Sequence, residues 1–230
     1  MGAWMGLLRP VAVRQGERSI GRLTELPLPD GPPHGLVSAD GSGRERLGLV
    51  VLGDETALGV GGPPLDEGLP GLVSRELARR EGRDVLWQVV GERDATVLGL
   101  HHRLLPQVSP ATEVAVLMVG MHDLLARRSV REWRTELASS LDLLARVPRV
   151  LVCGCPPLHR APLLGWPLTG LLEREAAALD AVSRELCDER GRDFVGLPDR
   201  DDSPASFASD GLHPGPDGYR QRAEAIIRAL

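Results

Sequence analysis

The hydrophobic pattern falls into short solid runs separated by longer amphipathic stretches. Residues 47–52 (LGLVVL) form an apolar run that closes on Gly53. Residues 85–90, 114–119 and 150–153 repeat the form. Short runs rich in Val and Leu predict strands buried on both faces. Between them the period changes. Residues 72–81, 130–145 and 171–187 carry apolar side chains at helical spacing, most clearly Trp133, Leu137, Leu141 and Leu144. Residues 98–105 predict a short helix, 194–197 a short fifth strand and 217–230 a terminal helix. Strands alternating with helices predict an α/β fold, a three-layer αβα sandwich around a central parallel sheet of flavodoxin-like layering. Residues 1–46 are weakly patterned and predict an N-terminal arm ahead of a domain spanning 47–230. Within that arm, residues 26–43 are rich in Pro, Gly and Asp and read as a surface loop. There is no internal repeat and no low-complexity segment.

Composition narrows the class of partner. The chain has 230 residues and a net charge of -5, with no lysine and no asparagine, so all 27 basic residues are arginine. The negative balance and the short basic clusters, Arg79-Arg80 and Arg127-Arg128, argue against a nucleic-acid surface. No apolar run reaches the ~18 residues that a membrane span needs. Residues 1–8 are too short and lack the initial basic region of a signal peptide, so a cytoplasmic protein is expected. Cys153, Cys155 and Cys187 are too few and odd in number for a disulfide framework and read as buried free thiols. A small-molecule substrate or ligand is the expected partner, and no sequence signal specifies an oligomeric state.

Parallel sheets bind ligands beyond the carboxyl ends of their strands, so candidate chemistry is sought there. The first strand runs into Gly53-Asp54-Glu55-Thr56, the third into Gly120-Met121-His122-Asp123, and Asp210-Gly211-Leu212-His213 stands near the end of the chain. A strand, a turn and a helix start at 53–61 would seat a reactive side chain on backbone N–H donors. An Asp three residues before a His can turn back to the imidazole and set its tautomer.

In order, these blocks resemble the SGNH (GDSL) hydrolase family, which reads G-D-S, G-x-N-D and D-x-x-H at these places. The resemblance extends over residues 47–230, including the 87–96 segment, Pro156-Pro157 and the 215–219 turn into the last helix. It implies a nucleophile at position 55, with Asp210 and His213 as orienter and base. It also implies an oxyanion hole built from the backbone N–H of residue 55, a Gly of the second block and an Asn side chain. This sequence departs from that pattern. Glu55 stands at the nucleophile, His122 at the Asn, and Asp94 at the oxyanion Gly. None of the chain's twelve serines lies in the nucleophile block. Carboxylates beside a developing oxyanion oppose an acyl-serine mechanism, in which losing even one donor costs about 3–4 kcal/mol of barrier.

Three readings follow. In a rebuilt enzyme, Glu55, Asp94, His122, Asp210 and His213 converge for carboxylate and imidazole chemistry on a small ester, lactone or epoxide. Glu55 then acts as base or as nucleophile at an sp3 carbon, His122 protonates the leaving oxygen, and His213 activates water. In a metal site, the same His and carboxylate groups hold a divalent ion, although their spacing matches no known ligand motif; no other cofactor is implied. In a silent binding protein, the scaffold persists without the chemistry. Beside these stand structural expectations. Asp54 bonds turn backbone and Asp123 is structural. His101 and His102 are surface or packing residues, and His159 lies on an exposed loop. Arg93 either binds a substrate anion or pairs with Glu92 or Asp94, while Trp87 and Trp133 belong to the core.

Overall fold

Six strands hydrogen-bond into one sheet among the residues that the computed structural model describes, namely 14–16, 18, 19, 21, 23–39, 45–197 and 206–230. The expectation for residues 1–8, and the parts of the arm at 1–13 and 40–44, lie outside them. The strands are β1 (His34–Val37), β2 (Arg46–Gly53), β3 (Asp84–Gly91), β4 (Thr112–Met118), β5 (Arg149–Cys153) and β6 (Asp193–Val195), in the spatial order β1-β3-β2-β4-β5-β6. All neighbours are parallel except β1, which runs antiparallel along the edge of β3. The long helices are α1 (Leu69–Glu81), α2 (Val130–Leu143), α3 (Leu168–Arg190) and α4 (Pro216–Ala229). The expected αβα sandwich is the observed architecture.

Alternating side chains of the central strands divide the core in two. Leu47, Leu49 and Val51 point to the layer of α1 and α4, where Val73, Leu77, Tyr219 and Ile226 meet them. Val50 and Leu52 point the other way, to Trp133, Leu137, Leu179 and Leu186 of α2 and α3. Each fully buried Leu or Val contributes about 1.5–3 kcal/mol relative to exposure. Trp133 Nε1 donates to Ser183 Oγ at 3.0 Å, which satisfies both polar groups where α2 crosses α3. Trp87 and Trp133 are core residues as expected, and the three cysteines are buried free thiols. No helix among the described residues is long and apolar enough to cross a membrane.

Three local features differ from the sequence reading. β1 falls inside the stretch read as a loop. Its four residues are too few to show a period, and its partner Leu36↔Leu86 leaves both side chains half exposed. The expected helix at 98–105 is one turn of α-helix at Val97–Gly99 that continues as a π-turn at Leu100–Leu104 and a 3-10 turn at Leu105–Gln107. No helix starts at Glu55: residues 54–62 are successive turns, and α1 begins only at Leu69. Gly59 (φ 79) and Gly61 (φ 82) take left-handed conformations there, which a continuing right-handed helix excludes. The donors around residue 55 are therefore individual N–H groups and not a helix terminus.

Candidate active site

Strand register gathers the site. Gly53 at the end of β2 lies between Gly91 of β3 and Met118 of β4, so residues 54–55, 92–94 and 120–122 leave the sheet side by side. Gly53 is required by close approach. Its φ is 154, and a Cβ would lie 1.8 Å from the Met118 carbonyl oxygen. That same carbonyl accepts the Asp54 N–H at 3.1 Å and turns the chain out of the sheet. On the β4 side, buried Asp123 accepts the Val97 N–H at 3.0 Å, which joins the loop after β3 to the short helix Met121–Leu125. Asp123 is structural, as expected.

Glu55 is the centre of this arrangement. Its Oε1 accepts the Asp94 backbone N–H at 3.0 Å, and its Oε2 accepts from His122 Nε2 at 2.7 Å. Burial opposes ionisation of Glu55, but the His122 hydrogen bond and charge outweigh it and hold the carboxyl at about 2. Burial likewise lowers His122, and the Glu55 contact more than reverses that, so the imidazole lies above its ordinary range. Each partner favours the charged form of the other, carboxylate for Glu55 and imidazolium for His122. His122 Nδ1 lies 3.4 Å from Asp94 Oδ1.

Asp94 meets Glu55 through its backbone. It has φ 57, uncommon outside glycine, and its side chain is 86% exposed. The left-handed backbone aims its N–H at Glu55 and sends the carboxylate outward. The carboxylate that occupies the cradle is that of Glu55 itself.

The Asp210 and His213 pair is assembled as expected. Asp210 Oδ1 accepts the N–H groups of Leu212 and His213 at 2.9 and 3.0 Å, and Oδ2 accepts from His213 Nδ1 at 2.5 Å. Burial raises the Asp210 carboxyl, but the His213 hydrogen bond and the two backbone donors bring it below its usual range. With Nδ1 donating, Nε2 is the basic nitrogen of His213.

Glu55, Asp94, His122 and His213 line one cavity of about 370 Å³, with Asp210 behind His213. Leu23, Met121, Leu125 and Pro156 give it an apolar wall, and no serine lines it among the described residues. Asp54 also lines it while accepting the Thr56 N–H at 2.9 Å, the expected turn bond. Burial pushes the Asp54 carboxyl up to about 6. Thr56, Thr96 and Arg222 line the cavity too and were not anticipated. Arg222 was detectable by spacing: it stands three residues after Tyr219 and four before Ile226, on the helical stripe that both occupy.

Other candidates lie elsewhere. Arg93 donates to the Leu26 carbonyl and lies 3.6 Å from Glu25, while Glu92 pairs with Arg103, so neither expected partner holds Arg93. His101 and His102 stack edge to face in the π-turn, and His159 faces Glu173 at 3.9 Å. Asp54, Glu55 and His122 each offer a ligand atom within 4.8 Å of the others, the one such group among the described residues. Because Glu55 and His122 already satisfy each other, an ion would have to displace their pairing.

The sequence profile of the GDSL-like Lipase/Acylhydrolase family matches residues 51–221. A GDSL-like esterase of Mycobacterium tuberculosis is 27% identical over 198 residues, which cover 79% of this chain and 61% of that protein. This chain thus spans less than two thirds of that relative. Among solved structures, an extracellular lipase of Streptomyces rimosus superposes with a TM-score of 0.64 at 15% identity, covering 80% of this chain and 100% of the lipase. An acetylxylan esterase of Geobacillus stearothermophilus gives 0.64 at 18% identity, covering 80% and 93%. At these identities the likeness is one of fold.

Proposed function

Starting from a chain that belongs to the GDSL-like Lipase/Acylhydrolase family, we propose that it is a hydrolase of small organic molecules that uses Glu55 as a carboxylate nucleophile at an sp3 carbon. The observation that carries this reading is the hydrogen bond from the Asp94 N–H to Glu55 Oε1. A carboxylate that attacks through one oxygen leaves the other as the carbonyl of an ester. Here that second oxygen already rests on the cradle where an oxyanion must later form.

For an epoxide the cycle balances as follows. Glu55 Oε2 forms a bond to carbon while the carbon–oxygen bond of the ring breaks. The alkoxide takes a proton from the His122 imidazolium. His213 Nε2, oriented by Asp210, removes a proton from water, and the hydroxide adds to the Glu55 ester carbon. Negative charge gathers on Oε1, against the N–H of Asp94. Collapse expels the alcohol oxygen, which takes the proton held by His213. The regenerated Glu55 acid returns its proton to His122. The sum is epoxide plus water to diol. An ester or lactone enters the same cycle at its alkyl carbon and releases a carboxylate.

The test is a panel of small epoxides, lactones and esters read by turnover and intact mass. His213→Ala is expected to accumulate an alkyl adduct on the Glu55 peptide. Single turnover of the wild type in ¹⁸O-water is expected to label the Glu55 carboxyl, and Glu55→Gln to lose turnover. Label passing directly into product, with none in Glu55, refutes the scheme.

A second reading has its own support. A carboxylate held at about 2 by several donors is a weak nucleophile, which suits a binding protein that no longer turns over. Ligand binding that depends on His122 and His213, without turnover or adduct for any panel member, selects it.

A further inference from the structure

Beside the catalytic cavity lies a smaller one of about 50 Å³. The two share Pro156, Leu212, Pro214 and Arg222 in their walls, so they adjoin. Two polar groups in the smaller cavity lack what burial demands. Ser206 lines it, is nine-tenths buried, and its Oγ has no hydrogen-bond partner. Arg222, half-buried on α4 one turn from Tyr219 and from Ile226, makes no ion pair among the described residues. Buried charges are ordinarily paired, because leaving water must be compensated.

The nearby acid does not serve. Asp54 acts on Arg222 electrostatically without an ion-pair contact, and its Oδ1 accepts the Thr56 N–H. Burial also pulls the Arg222 guanidinium below its usual value. No Asp or Glu is found among the described residues that line the smaller cavity, and Arg160 adds a second guanidinium to its wall.

We propose that this cavity is a carboxylate pocket, with Arg222 and Ser206 as its recognition groups, so that the molecule handled here is a small organic anion. The size agrees. At about 10–15 Å³ for each water-sized group, the space of about 50 Å³ holds roughly three to five, enough for the three heavy atoms of a carboxylate. The chemistry agrees as well: a planar guanidinium meets a carboxylate through two parallel N–H groups, and a hydroxyl donates a third. The placement of a reactive carbon against Glu55 rests on the function proposed above, whereas the pocket itself does not.

Isothermal titration of the full chain with butyrate, and with butyramide as the neutral isostere, decides the matter. Butyrate is expected to bind at least tenfold more tightly than butyramide. Arg222→Met is expected to abolish that difference, and Ser206→Ala to weaken butyrate about threefold. Equal binding of the two probes overturns the pocket, as does failure of butyrate to bind or full retention of butyrate by Arg222→Met. Should circular dichroism show that Arg222→Met does not fold, Arg222→Gln and Ser206→Ala are judged by the same criteria. Butyrate bound through Arg222, with no adduct on Glu55 from any panel member, fails the reaction and leaves the pocket standing.

Discussion

Asp54 offers a measurable consequence of building a site at the end of a buried strand. Its side chain is 4% exposed, and burial raises its carboxyl from 3.8 to about 6. At 1.36 kcal/mol per pKa unit, that shift corresponds to about 3 kcal/mol. The sign follows from proton binding. The unfolded chain releases this proton near 3.8 and the folded chain near 6, so between those values the folded state holds more protons. Stability therefore falls as pH rises through the window, and the full cost is present above about pH 6. Asp54→Asn keeps an oxygen for the Thr56 N–H and removes the charge. The variant should be more stable than wild type by about 3 kcal/mol at pH 7.5, and nearly equal to it below pH 4. For a chain of this length the gain at pH 7.5 is about 6–12 °C in melting temperature, at roughly 2–4 °C per kcal/mol. Paired urea titrations and calorimetric melts at pH 4, 5, 6 and 7.5 measure it. Asp123, raised to about 6 mainly by burial, is present in both proteins and enters the difference only through its repulsion with Asp54, the last-named cause of its shift. Equal melting temperatures at pH 7.5, or a gain that persists at pH 4, refute the reasoning.

Two further outcomes test the scaffold. Gly53→Ala drives a methyl group into the Met118 carbonyl at 1.8 Å, and should cost about 3 kcal/mol or more in chemical denaturation. Ser129→Ala removes the capping box in which Ser129 accepts the Glu132 N–H and Glu132 accepts the Ser129 N–H. It should cost about 1 kcal/mol and speed amide exchange in the first turn of α2.

The strands of the central sheet were legible because burial on both faces leaves uninterrupted apolar runs, and β2 through β5 begin and end within two residues of the expected limits. β1 was not, because an edge strand of four residues with half-exposed side chains carries no such signature. The site divides along the same line. His213 and Asp210 were legible because a spacing of three lets a carboxylate reach back along the chain, a local geometry. The pairing of Glu55 with His122 spans 67 positions and depends on the β2–β4 register, so the sequence named both residues without their bond. The contact of Asp94 with Glu55 was not legible, because it runs through a backbone N–H set by a left-handed φ, to which residue identity is only a weak guide.

The donors around Glu55 bear unequally on the two halves of the proposed cycle. When Glu55 attacks carbon, its carboxylate loses charge, so hydrogen bonds that hold it near 2 are stronger before the step than during it. Interactions of that kind slow a reaction. When water adds to the ester, charge returns to Oε1 and the Asp94 N–H strengthens as the barrier is climbed. His122 moderates the first penalty, because the proton that holds Oε2 is the one the leaving oxygen needs. In the proposed cycle alkylation is therefore the expected slow step and hydrolysis the fast one. The ester should remain scarce in the wild type at steady state and gather only when His213 is removed. Adduct accumulating in the wild type at the level seen in His213→Ala would mean that the cradle does not assist water addition, and the role assigned to the Asp94 N–H would fail.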